Sequence, residues 1–319
     1  MPKLTLLFVA LALALSACDS DSTDAPVVGV VFDPALLTGS NVIGAATLVD
    51  CTLTDGTETR CYEVSFGANP VEDGPYCPQT IDEVGGVGFY DGATNPGFQA
   101  LKAELWDAME ADGYDIVDAD GNVNVADPGA PGGVSPACLE ATPDDGLVLT
   151  FTIPAVPTPL STPDAIGTVE FIGLSLDGIP IAGVPPSVVG MGAGDPRGGN
   201  IPAIGGCGGH IDPRGYLHWH LGPEEANNVL DANGITDVRC TAVPQSTTAL
   251  IGFAKDGYPI YASQDAAGMP SDLDACGGHT STTADYADEV YHYHVSSTDA
   301  PNVPSCVVGA SVRQPFQFQ

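Results

Sequence analysis

The feature that most constrains this chain is an internal repeat. Residues 171–181 read FIGLSLDGIPI and residues 250–260 read LIGFAKDGYPI, an offset of 79 positions. Further along, Cys207-Gly208-Gly209-His210 answers to Cys276-Gly277-Gly278-His279, and His218-Trp219-His220 to His292-Tyr293-His294, with Cys240 and Cys306 trailing each copy. Each copy reads as a short strand, an Asp-Gly turn and a second strand. A unit of this size used twice is expected to pack face to face on its twin and complete a shared core. The repeats are placed at about 165–245 and 246–319. The first carries an insertion, Gly222 to Gly234, whose Pro223-Glu224-Glu225 start reads as a short helix.

All six histidines of the chain fall at matching positions of the two copies: His210, His218 and His220, then His279, His292 and His294. Side chains alternate faces along a strand, so the two imidazoles of a His-x-His project to the same side and can converge on one ion. A third histidine on a glycine-rich loop pinned by a cysteine would complete a three-nitrogen site with an open coordination position. Imidazole-only ligation suits copper or zinc, and copper tops the affinity order. Asp212, Asp285 and Asp288 are candidate acceptors to orient the rings. The competing reading makes the histidines structural braces of an adhesion or recognition module whose glycan or protein partner the sequence does not identify.

Composition narrows the class. The chain has 319 residues with 39 Gly and 28 Pro, too many for a helical bundle, so a loop-rich, mainly β fold is expected. With 41 acidic against 8 basic side chains, the formal charge of −33 repels a phosphate backbone, and nucleic acid is excluded as a partner. No G-x-S-x-G elbow, Walker loop or dinucleotide fingerprint is present. No catalytic residue is assigned, and whether the protein is an enzyme stays open.

The amino terminus reads as an export signal. Lys3 precedes an apolar run from Leu4 to Leu15, and Leu15-Ser16-Ala17-Cys18 resembles a lipobox. The expectation is a lipoprotein signal peptide over 1–17, lipidation of Cys18 and a polar tether over 18–26. The protein would be exported and membrane-anchored through its N-terminal lipid, at the periplasmic face or the cell surface. The remaining eight cysteines are then expected to form disulfides. Eight cysteines allow 105 pairings. Cys51 and Cys61 flank Asp55-Gly56-Thr57, which reads as a hairpin turn setting the two sulfurs opposite each other. The full expected set is Cys51–Cys61, Cys77–Cys138, Cys207–Cys240 and Cys276–Cys306.

Residues 27–152 form an N-terminal disulfide-containing region. Its clearest predicted helix opens at Asn95-Pro96, runs through Phe98, Leu101, Leu105, Trp106 and Met109, and stops at Gly113. Asp118 to Asn122 reads as a turn at Asp120-Gly121, because Val123 occupies the position where a calcium loop needs glycine. Prolines at 154, 157, 159 and 163 mark 153–164 as a stiff connector that cannot be a central strand. Residues 165–319 follow as the duplicated unit.

Around Tyr291-His292-Tyr293-His294 the chain resembles the YHYH-domain proteins. The likeness extends to the cysteine hairpin near Cys51, to Asp256-Gly257-Tyr258-Pro259-Ile260-Tyr261, to Ser271 through His279, and to Cys306. The resemblance implies an exported, often lipid-anchored protein. The first copy keeps His218 and His220 but has Leu217 before the first histidine, and the second inserts Ala284 to Glu289 ahead of its histidine pair. The expected architecture is therefore mainly β, a duplicated β-rich YHYH domain of two pseudo-symmetric repeats preceded by a smaller disulfide-bonded α+β domain. The expected function is transition-metal binding through the two histidine clusters.

Overall fold

At the centre of the chain, hairpins rich in isoleucine and glycine build one eight-stranded sheet. The computed structural model describes residues 31–37, 41–71, 74–130, 135–190 and 198–318. The signal peptide, Cys18 and the tether expected from the sequence lie outside the described residues. The strands of the sheet are β1 (Phe171–Ser175), β2 (Pro180–Ala182), β3 (Gly209–Ile211), β4 (Leu217–Trp219), β5 (Leu250–Ala254), β6 (Pro259–Tyr261), β7 (Gly278–Ser281) and β8 (Val290–His294). Their order is β3-β4-β2-β1-β5-β6-β8-β7, which reads the same outward from the central β1–β5 pair in both directions.

Local chemistry accounts for each join. Asp177-Gly178 and Asp256-Gly257 turn the two hairpins, with the glycines at φ +83° and +93°, where a side chain would be strained. The hairpins meet through antiparallel β1 and β5, where Gly173 pairs with Ala254 and Gly252 with Ser175. A Cβ on Gly173 would sit 2.0 Å from the Phe253 carbonyl oxygen, and one on Gly252 would sit 2.0 Å from that of Leu174. Only glycine lets the strands approach so closely. This corrects the expected face-to-face packing: the two segments stand side by side in one sheet.

Both faces of that sheet are covered. On one, Ile172, Ile181, Leu217, Trp219, Ile260 and Tyr293 pack into a buried cluster. On the other, Leu174 and Phe253 meet Phe32, Phe66, Phe151 and Ile153. Burying side chains of this size contributes about 1.5–3 kcal/mol each, so shared burial ties the two ends of the chain together. The second group comes largely from an antiparallel four-stranded sheet ordered Val42–Thr52, Glu58–Gly67, Val148–Pro154, Phe316–Phe318.

Several sequence expectations change here. Ile153 and Pro154 close a strand in the middle of that four-stranded sheet, since the prolyl nitrogen falls at the strand's end where it removes no needed donor. Residues Pro159–Ala165 pair with Cys306–Gly309, so both ends of the proline-rich stretch are strands. The helix expected from Asn95 starts later, spanning Ala103–Ala111. Asn95 adopts φ 50° and Gly97–Ala100 pairs with Val87–Tyr90, so the Asn-Pro signature marks a hairpin turn. The helix still buries Leu105, Trp106 and Met109. In the cysteine hairpin, Cys51 faces Thr59 and Cys61 faces Val49, because the turn is centred on Asp55. The two sulfurs are diagonal neighbours, not opposite ones, and they bond with their Cα atoms 5.9 Å apart. Cys77–Cys138, Cys207–Cys240 and Cys276–Cys306 are also bonded. The insertion in the first copy forms a 3-10 turn, Pro223–Glu225, continued by the helix Ala226–Ala232.

Candidate metal centres

The two outermost strand pairs of the eight-stranded sheet each gather three histidines. In β3–β4, His210 stands directly opposite His218, and His220 follows one step beyond Trp219. In β7–β8, His279 stands directly opposite His292, with His294 two residues along. Alternation then does the rest, since Trp219 and Tyr293 point into the buried cluster while the imidazoles share the other face. The third histidine of each set thus sits on a strand, not on the glycine-rich loop expected. The inserted Ala284–Glu289 segment does not displace His279. Four strands separate β4 from β8, so at about 4.8 Å per strand the two centres are on the order of 24 Å apart.

The glycines before His210 and His279 are required by close packing. Gly208 and Gly277 lie at φ +89° and +79°. A Cβ on Gly209 would meet the Trp219 ring at 2.3 Å, and one on Gly278 would meet the Tyr291 hydroxyl at 2.1 Å. Tyr293 is anchored from below: its hydroxyl donates to the buried Asp256 at 2.6 Å, which also accepts from the Gly309 N–H at 2.9 Å. Burial pushes the Asp256 carboxyl up to about 6.

In the first centre, His220 Nε2 lies 3.1 Å from His218 Nε2 and 3.3 Å from His210 Nε2. In the second, His279 Nε2 lies 3.2 Å from His292 Nε2 and 3.3 Å from His294 Nε2. Ligands of one tetrahedral ion bonded at about 2.0–2.1 Å stand about 3.3 Å apart, so these spacings match a shared ion.

The opposite nitrogens explain why the rings point this way. His220 Nδ1 donates to the Gly183 carbonyl at 2.6 Å, His294 Nδ1 to that of Ala262 at 2.6 Å, and His292 Nδ1 to that of Val290 at 3.0 Å. His279 Nδ1 lies 2.9 Å from the Asp272 carboxylate. Carbonyls only accept, so in the neutral rings of His220, His292 and His294 the single N–H is on Nδ1 and Nε2 presents a bare lone pair. His218 Nδ1 is buried without a hydrogen bond of standard geometry, the Tyr216 carbonyl offering only a weak backbone interaction. The orienting acceptors are thus mostly backbone. Asp212 instead accepts from the Arg214 N–H at 2.8 Å, Asp285 from the Tyr261 hydroxyl at 2.8 Å, and Asp288 is exposed.

Burial favours the neutral form of His210, His218, His220, His292 and His294. It holds His210 and His218 well below the ordinary imidazole range, with repulsion among the neighbouring histidines adding to it. It lowers His220 to about 4 against the opposing pull of the Gly183 carbonyl. Burial likewise lowers His292 and His294, with the Val290 and Ala262 carbonyls opposing. Neutral imidazole is the ligating form, so the first centre need shed few protons to take up an ion.

Sequence reasoning missed Asp265. It joins His279, His292 and His294 to make a four-residue group able to hold a metal ion, whereas the first group contains histidines alone among the described residues. No local motif marks Asp265, which reaches the site through the turn after β6. A cleft of about 540 Å³ lined by Ser263, Met269, Leu273 and Cys276 reaches His294 from outside.

Among the described residues no helix is long and apolar enough to cross a membrane. The four disulfides fit an oxidising location. No curated protein and no solved structure matches the chain. A family model described as YHYH protein matches residues 150–269, a span that holds the first histidine cluster and Asp265 and ends before His279. Over that segment the chain matches the YHYH protein family.

Proposed function

We propose that this is an exported protein, anchored by a lipid on Cys18, that binds two transition-metal ions, copper or zinc, one in each histidine cluster. The observation that carries the reading is the convergence of bare Nε2 atoms. A packing motif of histidines would place protons between the rings as N–H···N bonds. In neutral His220, His292 and His294 the proton is directed outward to a backbone carbonyl, and their inward lone pairs favour a cation at the centre. This weighs against the adhesion reading, in which the same rings only brace a scaffold.

The sequence repeat supports two binding units. The sheet order is symmetric about β1 and β5, and Gly183 and Ala262, the acceptors for His220 and His294, stand at corresponding positions of the two copies. Export is supported by the disulfides and by the apolar leader before Cys18. Copper tops the affinity order for imidazole sites, and zinc matches the tetrahedral spacing.

The test is metal analysis of the mature, disulfide-bonded chain after loading with copper or zinc and removal of free ion. Two equivalents are expected, and less than about 0.2 equivalents would remove the proposal, since a preformed ligand set should not release its ion on buffer exchange. Mass spectrometry of the native N-terminus tests the lipid on Cys18.

A further inference from the structure

Resting on the metal-binding reading, the geometry points to Asp265 as a fourth ligand that closes the second centre as a three-histidine, one-carboxylate site for a divalent ion of tetrahedral preference, zinc. Among the described residues the first centre keeps three imidazoles, whereas the second adds a carboxylate.

Position carries the argument. Asp265 Oδ2 lies 3.2 Å from His279 Nε2, and its Oδ1 lies 3.4 Å from His292 Nε2 and 3.6 Å from His294 Nε2. The carboxylate caps the triangle of nitrogens at the spacing of a fourth tetrahedral vertex. In neutral His292 and His294 the N–H is taken up by a backbone carbonyl, so the carboxylate meets their Nε2 lone pairs as acceptor against acceptor, and a divalent ion at the common centre turns these contacts favourable. Among the described residues Asp265 has no Lys or Arg partner; its ion-pair contacts are these imidazoles.

The turn that presents Asp265 is braced. Its N–H donates to the Gly268 carbonyl at 3.0 Å, and Gly268 returns the bond to the Asp265 carbonyl at 3.0 Å. Gln264 donates to the Thr247 carbonyl at 2.7 Å. In the first copy the chain after Gly183 reads Val184, Pro185, Pro186, Ser187 and offers no carboxylate, whereas after Ala262 it reads Ser263, Gln264, Asp265. A hard oxygen and one negative charge favour a divalent ion, and four protein ligands leave no open position, as in structural zinc sites.

The test uses the full mature chain carrying His218→Ala, which removes the first centre and isolates the second. With Asp265 present, one zinc equivalent resists a competing chelator, and cobalt(II) loading gives the intense visible absorption of four-coordinate geometry. Asp265→Asn, nearly the same shape, is expected to weaken zinc at least about tenfold and to alter the cobalt spectrum. Asp265→Glu, which keeps the carboxylate, retains more of the affinity than Asp265→Asn and serves where that variant folds poorly. Unchanged zinc affinity and cobalt spectrum in both variants overturns the assignment of Asp265 while leaving metal binding by the histidines standing. Failure of the Asp265-containing protein to bind any zinc or cobalt overturns metal binding at the second centre and this assignment with it.

Discussion

His279 and His292 face each other across β7 and β8 with their Nε2 atoms 3.2 Å apart, and the Nδ1–H of neutral His292 is directed away from that contact to the Val290 carbonyl. The arrangement is one of ligands held ready. Strand pairing fixes the Cβ atoms, and the acceptors at Val290 and Asp272 fix the ring orientation, so the site is assembled before any ion arrives.

Such a site stabilises the fold by mass action once occupied. A metal at a hundredfold excess over its Kd adds about 2.7 kcal/mol per site. Thermal unfolding of the mature chain is therefore expected to shift upward on zinc or copper loading and to return with chelator. His292→Ala should lose about half of the shift, and His218→Ala together with His292→Ala all of it. Equal shifts in the wild type and the double variant would show that the metal acts elsewhere.

The metal-free protein should weaken in mild acid. His220 has its folded value lowered to about 4 from 6.5. The unfolded chain therefore takes up a proton below about 6.5 that the folded protein refuses until about 4. The stability is complete above 6.5 and is lost as pH falls through that window, by about 3 kcal/mol for this group. Asp256 runs the other way: raised from 3.8 to about 6, it favours the fold when protonated and loses that contribution as pH rises from about 4 to 6. Comparing wild type with His220→Gln in denaturant titrations at several pH values, with chelator present, separates the two. The variant should lose less stability on the acid side than the wild type, the remainder coming from His210, His218, His292 and His294, which burial also lowers, and parallel curves would count against the assignment.

Glu225 links the inserted helical segment of the first copy to the second centre. Its buried carboxylate accepts from the Ser263 N–H at 3.0 Å, from the Ser263 hydroxyl and from Asn228 at 2.6 Å. Ser263 lies between Ala262, whose carbonyl orients His294, and Asp265. Glu225→Ala leaves a buried N–H and hydroxyl unpaired, an effect of about 1–3 kcal/mol on stability. It is expected to weaken metal binding at the second centre while the first is unaffected, measured by chelator competition in His218→Ala and His292→Ala backgrounds. Equal weakening at both centres would reduce Glu225 to a general stability residue.

The histidine clusters are legible in the sequence because a repeat places six histidines at matching positions of its two copies, and strand alternation puts His218 with His220 and His292 with His294 on one face. What one linear pattern cannot show is a contact made by a turn far along the chain. Asp265 belongs to the second centre only because β6 runs parallel to β8 and sets the turn after β6 beside His294. Asn95-Pro96 reads as a helix start because the same cap chemistry serves a turn, and pairing of Gly97–Ala100 with Val87–Tyr90 decides between them. Side-by-side placement of the repeats depends on Gly173 and Gly252, whose role shows only when the carbonyl 2.0 Å from each missing Cβ is in view.

The glycines preceding the third histidine of each set give the last prediction. A methyl group on Gly278 would fall 2.1 Å from the Tyr291 hydroxyl, which can swing aside from its bond to Asp274, and 2.8 Å from the His292 carbonyl, which cannot move without β8. Gly278→Ala should therefore spread β7 from β8, separate His279 from His292 and empty the second centre, and Tyr291→Phe should not rescue it because the backbone clash remains. On Gly209 the methyl group would fall 2.3 Å from the buried Trp219 ring, which has no flexible end to yield. Gly209→Ala should lose the first centre and also more stability than Gly278→Ala, by about 1–3 kcal/mol for overpacking a core ring. Metal stoichiometry and denaturant midpoints of the two variants, measured side by side, check both statements, and two equivalents bound by Gly278→Ala at wild-type affinity would show that β7 tolerates the side chain and that the close pairing is not what holds His279 in place.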